Sequence, residues 1–192
     1  MIAIIKYNGG NVNSVQNALN RSGAESIITD DLELIKNADK VIFPGVGEAS
    51  STMKTLKEKG LDQLIPTLKQ PVLGICLGMQ LMCKNNEEGN TVGMGIFDIN
   101  VKKFAVENII PHMGWNTISG FKSTIYSGIK EESDVYFVHS FYCELSENTT
   151  SVCDYILPFS ASLQKDNFYA MQFHPEKSGE IGSRLLQNFL KL

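Results

Sequence analysis

Two rhythms of hydrophobic and polar positions divide the chain. In its first half, short apolar runs alternate with segments whose apolar residues recur at helical spacing. Residues 2–7 form an apolar run, the pattern of a buried first strand. Asn8-Gly9-Gly10-Asn11 breaks it, and Asn13 or Ser14 is placed to cap a helix with Val15, Ala18 and Leu19 on one face, ending near Gly23. Residues 25–29 predict a second strand, Asp30 and Asp31 open a short helix, and residues 40–43 predict a third strand stopped by Pro44-Gly45. A helix over 50–59 ends at Gly60, a second helical piece covers 61–68, a strand covers 71–75 and a helix follows over 77–84. Strand–helix alternation of this kind signals a parallel sheet with helical crossovers.

Residues 90–170 read differently, as short strands set among glycines and aromatics. Strands are predicted at 101–104, 135–138, 151–156 and 169–173, a mixed or antiparallel extension of the sheet. A last helix over 181–192 carries Ile181, Leu185, Leu186, Phe189 and Leu190 on one face. With no internal repeat, low-complexity tract or linker, one α/β domain over 1–192 is expected: an open, mostly parallel sheet flanked by helices, with an antiparallel extension.

Composition narrows the class. A length of 192 residues suits one such domain better than two, and 43% hydrophobic with 20% charged residues is enough to bury a core without staples. The net charge of -4 argues against binding a nucleic-acid phosphate backbone. No cationic start, apolar run and small-residue cleavage site come in succession, and the longest nearly apolar stretch, 71–83, is too short for a bilayer and interrupted by glycines. A cytoplasmic protein with no membrane or nucleic-acid partner is expected. Cys76, Cys83, Cys143 and Cys153 form no CxxC pair and read as reduced thiols, the last three as packing residues, with Cys83 on the helix that follows Cys76.

The strongest chemical signal is Gly74-Ile75-Cys76-Leu77-Gly78, a cysteine version of the strand–turn–helix nucleophile elbow. Such a turn presents the thiol at the carboxyl end of the sheet, where the next helix favours an anion and the Leu77 amide can face a developing oxyanion. The same pentapeptide also fits a buried cysteine between packing glycines. A thiol nucleophile needs a base. Of His112, His139 and His174, only His174 has a carboxylate close by: in Gln172-Phe173-His174-Pro175-Glu176 it follows a strand, and Glu176 can hold the imidazole's tautomer. No two histidines have metal-ligand spacing, so no metal is expected. Pro44-Gly45-Val46-Gly47 offers a second oxyanion amide; an ordinary strand-to-helix turn explains it equally.

In this order the three motifs resemble the class I, triad-type glutamine amidotransferases, whose fold is a flavodoxin-like three-layer sandwich. Pro111-His112-Met113-Gly114-Trp115-Asn116, Tyr136-Phe137-Val138-His139-Ser140-Phe141 and Gln172 to Ser178 are similar, more narrowly, to the glutaminase subunits of imidazole glycerol phosphate synthases. The resemblance runs over essentially the whole chain, with Lys6-Tyr7 opening a turn for which D-Y-G-x-G-N patterns are common. It implies that Cys76 forms a thioester with L-glutamine, His174 moves the proton and Glu176 orients His174. Amides of Leu77 and of Val46 or Gly47 would complete the oxyanion hole, and Gln80 with His139, Ser140 and Phe141 would hold the amino-acid end of glutamine. The resemblance implies no cofactor and a (β/α)8-barrel cyclase as heterodimer partner, faced by Asn11, Met113, Trp115 and Lys177. From composition alone, Trp115 is as well placed in a core as at an interface. The alternatives are a subunit feeding a different synthase (a surface-sugar pathway, for instance), a non-catalytic scaffold, and a cysteine peptidase or chaperone with the same elbow.

Overall fold

The apolar runs of the first half become strands covered on both sides, and alternate residues face two separate cores. In β1 (Ile2–Ile5), Ala3 and Ile5 enter one apolar cluster while Ile2 and Ile4 enter the other. In the computed structural model, which describes residues 1–7, 11–105 and 110–192, the chain continues as α1 (Val12–Arg21), β2 (Ser26–Thr29), α2 (Leu32–Lys36), β3 (Lys40–Gly45), α3 (Ala49–Glu58), α4 (Leu61–Leu64), β4 (Val72–Cys76) and α5 (Leu77–Met82). Then come β5 (Cys83–Asn86), β6 (Thr91–Val92), β7 (Phe97–Lys103), β8 (His112–Ser119), β9 (Ser133–His139), β10 (Phe141–Cys143), β11 (Thr149–Tyr155), β12 (Leu157–Lys165), β13 (Phe168–Met171) and α6 (Gly179–Leu190).

Nine strands form the main sheet in the order β2-β1-β3-β4-β13-β12-β11-β8-β9. The pairings from β2 to β13 are parallel and those from β13 to β9 antiparallel, so the sheet is the mixed α/β sheet that the two rhythms predict. Residues from α2, α3 and α4 (Ile35, Leu56, Leu61) fill one core, and residues from α1 and α6 (Leu19, Leu185, Phe189) fill the other. A second sheet, β10-β7-β5-β6, packs into the first of these cores through Cys83, Phe97, Val101 and Cys143. Among the described residues no helix is long and apolar enough to cross a membrane.

Several expectations are corrected. The helix after Cys76 stops at Met82, and Cys83 begins β5, where it pairs with Phe97. Pairing with β7 ends the helix earlier than its apolar spacing suggested. Helix α1 begins at Val12 with Asn11 at its cap position, so Asn13 and Ser14 lie inside it; no side chain caps this end. Positions 8–10 of the expected turn lie outside the described residues. Strands β8 and β12 had no counterpart in the sequence pattern. The cysteines are reduced as expected, although the Cys83 and Cys143 sulfurs stand 3.6 Å apart in the core.

The register sets the site. Gly45 at the end of β3 pairs with Cys76 at the end of β4, and Met171 at the end of β13 pairs with Ile75. The 44–47 turn, the thiol and the segment after β13 therefore leave the sheet at one rim.

Candidate active site

Cys76 ends β4 and immediately precedes α5, with φ 52° and ψ -110°. A positive φ strains any residue with a Cβ, by roughly 1–3 kcal/mol, and persists only where packing over-determines it. The flanking glycines supply that packing. A Cβ on Gly78 would sit 2.0 Å from the Phe43 carbonyl oxygen, and one on Gly74 would sit 2.8 Å from the Met82 sulfur and 3.0 Å from the Met79 amide. The helix is thus pressed against β3 and β4, with the thiol at the junction and only 7% exposed.

Among the described residues the sulfur bonds to two: the thiol points to the Val138 carbonyl at 3.8 Å, and the Gln172 side-chain amide donates to the sulfur at 3.7 Å. His174 follows β13 and is anchored by its own amide, which donates to the Tyr136 carbonyl at 2.9 Å, and by Ser178, whose hydroxyl donates to the His174 carbonyl at 2.7 Å. Its Nδ1 lies 2.8 Å from Glu176 Oε1, with both side chains 1% exposed. A carboxylate accepts, so Nδ1 carries a proton and Nε2 is free to take one. That Nε2 is buried with no hydrogen-bond partner among the described residues. Burial alone would lower the His174 pKa. The Cys76 sulfur and the Glu176 carboxylate beside it outweigh burial and raise it to about 10. The side chain of Asn11, the residue that precedes α1, donates to the same Glu176 oxygen at 3.3 Å.

A cleft of about 280 Å³ opens over the thiol, and Val46, Gly47, Leu77, Gln80, His139, Ser140 and Phe141 all line it. The His174 and Glu176 side chains are buried and do not line it. The polar atoms of two expected substrate binders are already engaged inside the protein. Gln80 Nε2 donates to the Phe141 carbonyl and to Gln172 Oε1, each at 3.0 Å. His139 Nδ1 donates to the Phe141 carbonyl at 2.7 Å, and its Nε2 meets His112 Nδ1 at 2.9 Å. Burial lowers the pKa of His139 to about 3 and of His112 to about 4, so neither carries charge at neutral pH. In the 44–47 turn, the buried Tyr7 hydroxyl donates to the Pro44 carbonyl at 2.8 Å and lies against the Val46 backbone N–H.

Sequence reasoning missed two residues here. Among the described residues Glu88 is the one acidic residue lining the cleft; burial raises its pKa, and its carboxylate accepts from the Ala49 amide at 2.9 Å. Gln172 is wholly buried and touches the sulfur. Neither belongs to a spacing pattern that marks chemistry, although Gln172 lies within the quoted His174 segment.

Of the four residues expected at a partner surface, Trp115 and Lys177 meet at the Tyr136 ring, and Met113 shares the outward side of β8 with Trp115. Met113 and Trp115 project from β8 with 62% and 58% exposure, which settles Trp115 as a surface residue rather than a core one. Trp115 packs edge-on against Tyr136 with ring centroids 6.1 Å apart, and the Lys177 ammonium stands 5.9 Å from the centre of the same Tyr136 ring. Asn11 instead bonds to the buried Glu176 side chain.

The profile of the glutamine amidotransferase class-I family matches residues 4–192. The imidazole glycerol phosphate synthase subunit HisH of Bacteroides fragilis (strain YCH46) is 61% identical over 194 residues, covering 100% of this chain and 99% of the relative. The protein of the same name from Escherichia coli (strain K12) is 42% identical, again covering 100% of this chain and 99% of the relative. Among solved structures, PurLQS from Thermotoga maritima superposes with a TM-score of 0.74 at 16% identity, covering 99% of this chain and 97% of that one; the likeness is one of fold.

Proposed function

The chain belongs to the glutamine amidotransferase class-I family, and from that premise we propose that it is the glutaminase subunit of an imidazole glycerol phosphate synthase, one domain over 1–192 working in the cytoplasm on L-glutamine. The observation that carries this reading is one pair of groups at one rim: a strained, cleft-facing thiol that raises the proton affinity of an imidazole locked 2.8 Å from a carboxylate.

Cys76 loses its proton to His174 Nε2 and attacks the side-chain carbonyl carbon of glutamine. The C–N bond breaks, the imidazolium returns the proton to the leaving nitrogen, and ammonia departs from a γ-glutamyl thioester. His174 then takes a proton from water, which attacks the thioester and releases glutamate with the thiol. Glu176 holds the tautomer that makes both transfers work. The Leu77 amide and one amide of the Val46-Gly47 turn stabilise the oxyanion. The Glu88 carboxylate, which lines the cleft, pairs with the substrate's α-ammonium. Gln80, His139 and Ser140-Phe141 shape the amino-acid end, with the ring of His139 and the amide of Gln80 acting as internal struts.

The partner is a (β/α)8-barrel cyclase docked on Asn11, Met113, Trp115 and Lys177, which receives the ammonia and forms imidazole glycerol phosphate and aminoimidazole carboxamide ribotide. The partner also has a natural switch to act on. With the Val46 N–H held by the Tyr7 hydroxyl, that amide faces away from an oxyanion until the peptide turns, and one such donor is worth roughly 3–4 kcal/mol to the transition state. A subunit feeding a different synthase is not favoured, because the full-length relatives named above carry the imidazole glycerol phosphate synthase name.

The test is reconstitution with the barrel partner. Cys76→Ala should abolish glutamine-supported synthesis while synthesis from added ammonia continues. Full glutamine-supported synthesis by Cys76→Ala would remove Cys76 from the chemistry.

A further inference from the structure

Gln172 is fully buried, where an apolar residue would pack without needing partners, and the steps above make no use of it. Its orientation follows from a chain of bonds that starts at a group unable to reverse its role. The Phe141 carbonyl can only accept, so the Gln80 amide nitrogen faces it at 3.0 Å. The same nitrogen faces Gln172 at 3.0 Å, so Gln172 presents its oxygen there. What remains of the Gln172 amide, its nitrogen, is aimed at the Cys76 sulfur at 3.7 Å. Turning either amide over would set donor against donor or acceptor against acceptor. Asn86, which donates to Gln80 Oε1 at 3.4 Å, braces the far end.

The two neighbours of the sulfur respond oppositely to loss of its proton. The Val138 carbonyl, 3.8 Å away, accepts from a thiol and repels a thiolate. The Gln172 N–H donates to either form and binds the anion more strongly, because a charge-assisted bond favours the charged state. We propose that Gln172 is a positioning residue for the nucleophile: its N–H holds the Cys76 sulfur as an anion and directs it away from the Val138 carbonyl toward the substrate and His174. The proposal rests on Cys76 being the nucleophile. Other titratable groups surround the sulfur: His174, held by Glu176, from the segment after β13, Tyr7 from just after β1 and Cys143 from β10 act on it, and Glu88 and His139 line the same cleft. None of these groups is itself altered by Gln172→Met, so comparing that variant with the parent reads the effect of the Gln172 amide.

The measurement is the pH dependence of Cys76 alkylation by iodoacetamide, read by mass spectrometry on the full chain, for the parent and for Gln172→Met and Gln172→Glu. Met keeps the length and removes the donor; Glu keeps the shape and turns acceptors toward the sulfur. The alkylation midpoint should rise by on the order of one pH unit in Gln172→Met, a roughly tenfold slower reaction below the midpoint, and further in Gln172→Glu. Purely structural damage would lower the melting temperature without moving the midpoint. The parent chain supplies a second reading that needs no substitution: the side-chain amide resonance of Gln172 should shift with the same midpoint as Cys76 alkylation. A folded Gln172→Met chain with the parental midpoint, or an amide resonance indifferent to that titration, overturns the proposal. Neither readout uses glutamine, so failure here is distinct from failure of the nucleophile assignment, which glutamine turnover by Cys76→Ala would reveal.

Discussion

His174 and Glu176, separated only by Pro175, meet through Nδ1 and Oε1 at 2.8 Å with both side chains almost excluded from solvent. Glu176→Gln keeps the shape but gives the imidazole a neutral partner that can bond either tautomer. In the partnered enzyme, glutamine-dependent kcat should fall roughly a hundredfold or more with KM little changed. Steady-state kinetics with glutamine checks this, and ammonia-dependent synthesis should be untouched. A parental kcat would show that the carboxylate does not set the tautomer.

The same pair makes stability depend on pH in a defined direction. In the fold the His174 pKa is raised to about 10, above an unfolded value of about 6.5. A raised pKa means that the folded state binds the proton more tightly. The stabilisation is therefore complete below about 6.5 and fades as pH climbs toward about 10. Because the Cys76 sulfur is the largest of the causes that raise it, Cys76→Ala should flatten this alkaline decline. Thermal unfolding of both chains between about pH 6 and pH 10 tests it; parallel curves would contradict it.

Tyr7 bridges the 44–47 turn, donating to the Pro44 carbonyl at 2.8 Å and meeting the Val46 N–H. Tyr7→Phe removes only that hydroxyl, so the turn loses a restraint worth about 1 kcal/mol and its flipped form becomes roughly fivefold more populated. Glutaminase activity of the isolated chain should rise by about that factor, with a smaller gain in the partnered enzyme. Unchanged or lower activity without partner would count against the turn as the switch.

How much of this was legible in the sequence depends on whether a residue's role repeats a pattern. Strands β1, β3 and β4 are buried on both faces and show as unbroken apolar runs. Strand β8 hides because its alternation is inverted: Met113 and Trp115 face out while His112 and Asn116 turn inward, with an Asn116 amide hydrogen donated to His112 Nε2 at 3.2 Å. Strand β12 hides because Ser160 and Ser162 are buried and read as loop residues; their hydroxyls are satisfied by Thr149, Thr150, Ser151 and Tyr126, contacts that exist only once β11 and β12 pair. At the site, the elbow and the His174-Glu176 spacing carry their chemistry locally and could be read in advance. Glu88 reaches the cleft from a segment with no pattern that marks chemistry, and Gln172, although two residues before His174, reveals its contact with the Cys76 sulfur only in the fold. Asn11 shows the same limit: its position suggested a turn, and only the fold brings its amide to Glu176.

Cys76, alone among the four cysteines, is the proposed nucleophile. The decisive experiment treats the chain, in complex with the proposed barrel partner, with a glutamine-mimicking electrophile and maps the adduct by mass spectrometry. The expected result is one adduct, on Cys76, formed in step with loss of glutaminase activity and blocked by excess glutamine; an adduct on Cys83, Cys143 or Cys153, or inactivation that leaves Cys76 unmodified, would contradict it.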